Sequence, residues 1–305
     1  MLSTPILFLV FNRPEATKEV FEAIRKNKPK KLYIAADGPR ENKEGEIRLC
    51  NDTRAITEQI DWDCDIKTLF RDKNLGCKIA VSSAIDWFFD NEEEGIILED
   101  DCLPHETFFP YCEELLATYR DDKRVMMISG LNVLGEFDHP YSYLFSKIGA
   151  IWGWATWKRA WDLYDVELKN FPKAKEEKLL HGILTETEQA TARENICELV
   201  MNGKINTWDY QWTFSRLIHS GLSIVPSQNL IQNIGFDDNA THTSNPELEK
   251  LYPEFGQFNF PTVHPYYIAP VKEFDDKVYR FFNPIEANHL FARIVKKLKR
   301  VLYDQ

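Results

Sequence analysis

The sequence of 305 residues lacks several signatures that would settle its class at once. No Cys-x-x-Cys pair occurs among its six cysteines (Cys50, Cys64, Cys77, Cys102, Cys112 and Cys197), and no histidine partners them at metal-ligand spacing. Reduced, mostly buried thiols are expected rather than a zinc site or a disulfide framework. No stretch approaches the roughly 20 apolar residues of a membrane span. The apolar start, residues 5–11, has no basic segment before it and is too short for a secretory leader, so a cytoplasmic protein is expected. Positive charge is also short. Against 48 Asp and Glu stand 37 Lys and Arg, a net charge of -11, which argues against a protein built to grip nucleic-acid phosphates.

Glycine motifs are missing as well. No G-x-G-x-x-G follows the first apolar run, and no G-x-x-x-x-G-K-[ST] occurs anywhere, which argues against classical dinucleotide oxidoreductases and P-loop enzymes. The glycine-rich, Arg/Lys-bearing loop of a sugar-nucleotide pyrophosphorylase is absent from the same place.

What is present is an ordinary soluble composition, 44% hydrophobic and 28% charged, with eight Trp that suit the binding of flat ligands. Buried strands are predicted at 5–11, 31–36, 66–70, 95–98 and 124–129 from their continuous apolar runs. Helices fall between them: one opened by Pro14, one carrying Ile47, Ile56 and Ile60, one over 78–90 with Ile79, Ala80, Ala84, Trp87 and Phe88 inward, and one over 106–119. This alternation predicts an α/β fold around a mainly parallel sheet. A strand near 143–148, a helix to about Leu163 and polar helical segments over 173–202 and from Thr207 complete the reading.

Ligands of open α/β sheets sit beyond the carboxyl ends of the strands. Glu99-Asp100-Asp101 stands at such an end, after Ile96-Ile97-Leu98. Strand alternation puts Glu99 and Asp101 on one side and Asp100 on the other. Two carboxylates about 7 Å apart repel by roughly 2 kcal/mol at an effective dielectric of 20, a cost relieved by a shared cation. Hard oxygen donors in low number suit Mg²⁺ or Mn²⁺ completed by water and a substrate diphosphate.

These residues resemble the GT-A-fold glycosyltransferases, in particular the group of N-acetylglucosaminyltransferase I and related bacterial nucleotide-diphospho-sugar transferases. The resemblance runs in order through Pro5–Arg13, Ala36-Asp37-Gly38, Asn74–Ala80, Ile97–Asp101, Ile128–Asn132, Gly153-Trp154 and Trp208-Asp209. It implies a Rossmann-like GT-A domain over 1–270, with a nucleotide-binding half (1–130) and an acceptor half (131–270), followed by a helical tail over 271–305. It implies that Glu99-Asp100-Asp101 is the D-x-D motif, with Asp101 on a Mn²⁺ or Mg²⁺ ion and Glu99 and Asp100 near the ribose and the metal's waters. Arg13, Asp37 and Lys78 would meet the donor, as would Gly153 and Trp154 in the Trp-rich loop. His242 would be a late metal ligand. Asp209 would be the base that takes the acceptor's proton. The family's uracil-contacting histidine has no counterpart; Ser82 stands near its place.

The activity so implied is metal-dependent, inverting transfer from a nucleotide sugar, UDP-linked first among them with UDP-GlcNAc as a candidate, to a glycan or lipid-linked acceptor in bacterial surface polysaccharide synthesis. A retaining transferase and a catalytically inactive nucleotide- or carbohydrate-binding module are the alternatives. Trp154, Trp157 and Trp161 follow i, i+3, i+7 helical spacing, with Trp157 and Trp161 assigned to packing. In the tail, Leu290, Phe291, Ile294, Leu298, Val301 and Leu302 form an apolar stripe, and five cations stand against Asp304 alone over 289–305. Such a helix either touches the anionic inner membrane leaflet or docks on protein.

Overall fold

The computed structural model describes residues 1–235 and 253–282. Within them the chain builds one eight-stranded sheet, ordered β3-β2-β1-β4-β8-β6-β9-β7. The strands are β1 Ile6–Val10, β2 Lys31–Ala36, β3 Asp65–Phe70, β4 Glu94–Glu99, β6 Val125–Ser129, β7 Tyr143–Ser146, β8 Trp154–Trp157 and β9 Leu222–Pro226. The pairings β2–β3, β1–β2, β1–β4 and β6–β9 are parallel, whereas β4–β8, β6–β8 and β7–β9 are antiparallel. The mainly parallel sheet expected from the sequence is therefore corrected to a mixed one.

The source of the difference is β8. Trp154, Trp157 and Trp161 fit a helical period, but residues 154–157 are extended between β4 and β6, and only α5, Lys158–Trp161, is helical. Two edge bonding needs, those of β4 and β6, are met by this one segment; spacing alone does not register that demand.

Alternation along β1 divides its side chains between two cores. Ile6, Phe8 and Val10 join α1 (Pro14–Asn27) and α4 (Phe108–Thr118) on one face. Leu7 and Leu9 join α3 (Gly76–Phe89) and the Trp154–Trp161–Trp208–Trp212 group on the other. With both faces covered, the strand reads as an unbroken apolar run. A third core gathers Leu168, Phe171, Leu180, Cys197 and Phe214. It belongs to α6 (Phe171–Glu176), α7 (Leu179–Ile183), α8 (Thr187–Met201) and α9 (Asp209–Ile218), so the predicted stretch over 173–202 is three helices.

Smaller differences concern exposure. In α2, Glu46–Thr57, Ile47 is 63% exposed, and in α3 Ile79 points out rather than in. A short pair, β5 (Cys102–Pro104) with β10 (Ile231–Asn233), was not anticipated. Helix α10, Lys272–Phe282, buries Phe274 and Val278 in the main core and is tied to β7 by a Ser146–Asp275 hydrogen bond of 2.5 Å. The cationic stretch 289–305 lies outside the described residues.

Candidate functional site

The sheet order reverses direction at β1 and β4, and a cleft of about 480 Å³ opens beyond their carboxyl ends. Every strand of the parallel quartet contributes to it: β1 leads to Phe11, Asn12 and Arg13, β2 to Asp37 and Arg40, β3 to Arg71, and β4 to Glu99, Asp100 and Asp101.

At the acidic end the strand alternation stops early. β4 ends at Glu99 and the chain turns at Asp100, so Asp100 and Asp101, not Glu99 and Asp101, converge. They converge on Arg13, whose Nη1 lies 3.4 Å from Asp100 Oδ1 and 2.5 Å from Asp101 Oδ2. The Phe11 backbone N–H donates to Asp100 Oδ2 at 3.0 Å. Burial opposes the charge on Arg13, but the two carboxylates outweigh it and raise its pKa. Glu99 has no such partner among the described residues. Its Oε1 is buried without a hydrogen bond, and burial with the neighbouring carboxylates lifts its pKa to about 8. Burial also raises Asp100, against the pull of Arg13.

Asp101 is confined from behind. The Ile234 N–H donates to its carbonyl at 2.8 Å, and a Cβ on Gly235 would stand 2.5 Å from Asp101 Oδ2. The Asp101 side chain thus occupies the room that a side chain at position 235 would need.

Asp37 lines the cleft, but its oxygens are already engaged. It accepts the N–H groups of Gly38, Leu75 and Gly76 at 2.9 to 3.1 Å and the Asn74 Nδ2 amide at 2.9 Å. The first amides of α3, which no intrahelical carbonyl can serve, are capped by this residue from another element. Burial raises its pKa while these donors lower it. Lys78 turns aside: its ammonium pairs with Glu167 at 3.0 Å, and its N–H donates to Asn206 Oδ1.

Asp209 opens α9, one residue after the buried Trp208. It keeps some accessible surface yet is surrounded by protein, and that burial raises its pKa against the Thr207 hydroxyl, its own and the Tyr210 backbone amides, and Arg193. The dipole of the helix therefore does not by itself keep the group strongly ionised, as position in the first turn suggests. Thr207 lies outside the helix and donates its hydroxyl to Asp209. Trp208 is held in place by Trp154, stacked at 5.7 Å and 20°, and by Tyr164, whose hydroxyl donates to the Trp208 carbonyl at 3.1 Å. Asp209 contributes to the charge felt by Glu99 and by Cys77, so it lies within electrostatic reach of the acidic cleft. It also lines a second cavity, of about 310 Å³.

The structure thus brings Arg13, Asp37, Glu99, Asp100 and Asp101 into one cleft, with Asp209 behind it. Trp154 is not on its surface: it is fully buried in the aromatic core, and its neighbour Trp152 lines the second cavity instead. Gly153 serves backbone packing. It has φ +55°, its carbonyl accepts the Gly130 N–H at 2.8 Å, and a Cβ there would meet Ile231 Cδ1 at 2.3 Å. Trp157 and Trp161 are core, as read from the sequence, and Trp212 is buried with them. His242 lies outside the described residues. Among the described residues no three His, Cys, Asp or Glu side chains form a ready metal-binding group.

Sequence reasoning overlooked Arg40, Arg71, Cys77 and Asn206, all in the cleft wall. A signal existed for the two arginines, since each follows a predicted strand end. Arg40 also pairs with the buried Glu46 and lies 5.6 Å over the Phe11 ring. Arg71 donates to the Ala80 carbonyl and the Ser83 hydroxyl.

No protein-family model matches the chain, and no curated protein matches it. Solved structures similar to it include an apo UDP-glucose pyrophosphorylase, at 10% identity and TM-score 0.38, covering 76% of this chain and 93% of that one. HddC from Yersinia pseudotuberculosis is similar at 8% identity and TM-score 0.32, over 51% of this chain and 77% of that one. A third is 4-diphosphocytidyl-2C-methyl-D-erythritol synthase from Anaerococcus prevotii, at 8% identity and TM-score 0.32, over 60% and 80%.

Proposed function

We propose that the protein is a metal-dependent, inverting glycosyltransferase of the GT-A kind, moving a sugar from a nucleotide-diphosphate donor, UDP-linked first among them, to a hydroxyl of a glycan or lipid-linked acceptor. One observation carries this reading: Asp209 lines the second cavity while its charge reaches Glu99 in the strand-end cleft. Direct displacement at an anomeric carbon needs a carboxylate on the acceptor's side of the donor, away from the departing diphosphate. A donor in the cleft and an acceptor in the cavity would meet at Asp209.

The donor set suits a hard divalent cation. Glu99, Asp100 and Asp101 offer oxygen ligands, and the orphaned Glu99 Oε1 is a buried acceptor in need of a partner. Mg²⁺ and Mn²⁺ require only one or two carboxylates when water and substrate phosphates complete the shell. Asp101 would hold the ion, with His242 as a proposed second ligand, and its charge would neutralise that of the leaving diphosphate.

The remaining work belongs to the chain. Arg13 orients Asp101 and limits repulsion within the acidic turn. Arg40 and Arg71 supply positive charge along the cleft. Thr207 and the Trp208 clamp hold the Asp209 carboxylate, which takes the proton as the acceptor oxygen forms its bond.

A thermal-shift panel of UDP-, GDP-, CMP- and dTDP-sugars, with and without Mn²⁺, tests the reading. A true donor at a hundredfold excess over its Kd stabilises the fold by about 2.7 kcal/mol. The shift is expected to need the metal, to vanish in Asp101→Asn and to persist in Asp209→Asn. A panel in which no nucleotide sugar produces a metal-dependent shift overturns it.

A further inference from the structure

The second cavity has the size of a small-ligand site and the walls of a hydrophobic core. Leu131, Ile148, Ile196, Leu217, Phe274 and Val278 line it, from the strand region and from helices α8, α9 and α10. A sugar alone would leave such walls unused, since burying apolar surface contributes about 25 cal/mol per Å² only when the ligand is apolar too.

Its polar groups are few and unbalanced. Gln189 lines the wall at 6% exposure, and its Nε2 amide has no hydrogen-bond partner among the described residues. Leaving a buried donor unmet costs about 1–3 kcal/mol, so this group calls for an acceptor atom. Arg193 lines the same wall and makes no ion pair with a carboxylate among the described residues; Asp209 is within electrostatic reach. Behind it Arg216 is completely buried. It bonds the Ser223 hydroxyl and lies 5.9 Å over the Trp212 ring, but its Nε and Nη2 are unpartnered and no carboxylate pairs with it among the described residues. Burial, and secondarily the charge of Arg193, lowers its pKa to about 9. Lys147 adds a further cation to the lining, leaving Asp209 as the lone carboxylate in a chain whose acids otherwise outnumber its bases.

We propose that this cavity receives an amphiphilic acceptor, an apolar chain joined through a phosphate to a hydroxyl-bearing group, with the chain among the hydrophobic walls and the phosphate facing Arg193 and Gln189. The proposal rests on the transferase reading in one respect: the hydroxyl to be glycosylated is presented to Asp209. An anion there answers both deficits, giving acceptor oxygens to the Gln189 amide and offsetting the Arg193 guanidinium, which has no ion-pair partner among the described residues.

Isothermal titration with inorganic phosphate, and with n-octyl phosphate and n-octyl β-D-glucoside below their critical micelle concentrations, tests this on the full chain. Octyl phosphate is expected to bind once per chain and at least tenfold more tightly than inorganic phosphate. Arg193→Gln is expected to weaken octyl phosphate about tenfold while leaving octyl glucoside unchanged. Ala192→Trp, which places an indole on the cavity wall without touching Arg193, is expected to weaken both amphiphiles. Absence of one-to-one binding, or affinities indifferent to both substitutions, overturns the proposal. The nucleotide-sugar panel is run on the same samples. If it keeps its metal-dependent shift while octyl phosphate fails, only the acceptor assignment falls; if the panel fails, the transferase reading falls, and with it the role of the cavity as acceptor site.

Discussion

Arg13 Nη1 stands 2.5 Å from Asp101 Oδ2, so the cation that compensates the acidic turn in this structure is a side chain from the end of the neighbouring strand. Both groups are largely buried, with 14% and 15% of their side-chain surface accessible. Arg13→Gln therefore leaves three crowded carboxylates with one cation fewer. Breaking a buried pair in this way costs about 3 kcal/mol, to be read by urea unfolding at pH 7. The loss should shrink as pH falls and the carboxylates take up protons.

Glu99 gives a pH dependence of definite sign. Its folded-state pKa, about 8, lies above the 4.5 of an ordinary glutamate, so the folded chain holds this proton more tightly than the unfolded chain. The associated stability is fully present below pH 4.5 and is lost as pH rises through 8. Glu99→Gln, which cannot ionise, should remove this loss and be the more stable protein at pH 8 by more than about 1 kcal/mol, since each pKa unit is worth 1.36 kcal/mol. Denaturant titrations of both proteins across pH 5 to 9 check the slope.

Asp209→Asn should separate binding from chemistry. Removing a general base lowers turnover by about 10²–10⁴, with nucleotide-sugar affinity unchanged. Because burial raises the pKa of Asp209, the rising limb of the pH–rate profile should lie above the range of an exposed aspartate. A profile that stays flat in that region would remove Asp209 from the role of base.

Gly235→Ala tests the backbone approach to Asp101. The added Cβ would stand 2.5 Å from Oδ2 and 2.8 Å from the Asp101 Cβ, so turning the carboxylate does not suffice and the two backbone segments must move apart. In the nucleotide-sugar panel, metal-dependent donor binding should weaken about tenfold, a change of 1.4 kcal/mol.

Trp154→Ala should behave as a core truncation rather than as loss of a sugar contact. A fully buried indole packed against Trp161, Trp208 and Trp212 costs about 3–5 kcal/mol when removed. Trp154→Phe is the milder companion. Its effect should appear in the melting temperature, and in turnover only through displacement of Trp208 and Asp209.

Much of this architecture is written in local pattern. The runs around Ile6–Val10, Lys31–Ala36 and Glu94–Glu99 announce strands covered on both faces, Pro14 announces the start of α1, and the acids after Leu98 mark a strand end where charge gathers. Such features survive translation from sequence because burial and backbone geometry act within a few residues. Partnership does not. Whether Trp154 sits in a helix or a strand depended on two strands left unpaired beside it. Whether Asp37 was free for a ligand depended on the amides of Leu75 and Gly76, 38 and 39 residues away. The shared cation of the acidic turn came from Arg13, and the guanidinium groups of Arg193 and Arg216, without a carboxylate ion pair among the described residues, were juxtaposed only when α8 and α9 came together beside Asp209. Composition and periodicity determine which residues leave water; only the tertiary fold decides which of them then meet, and which are left wanting a ligand.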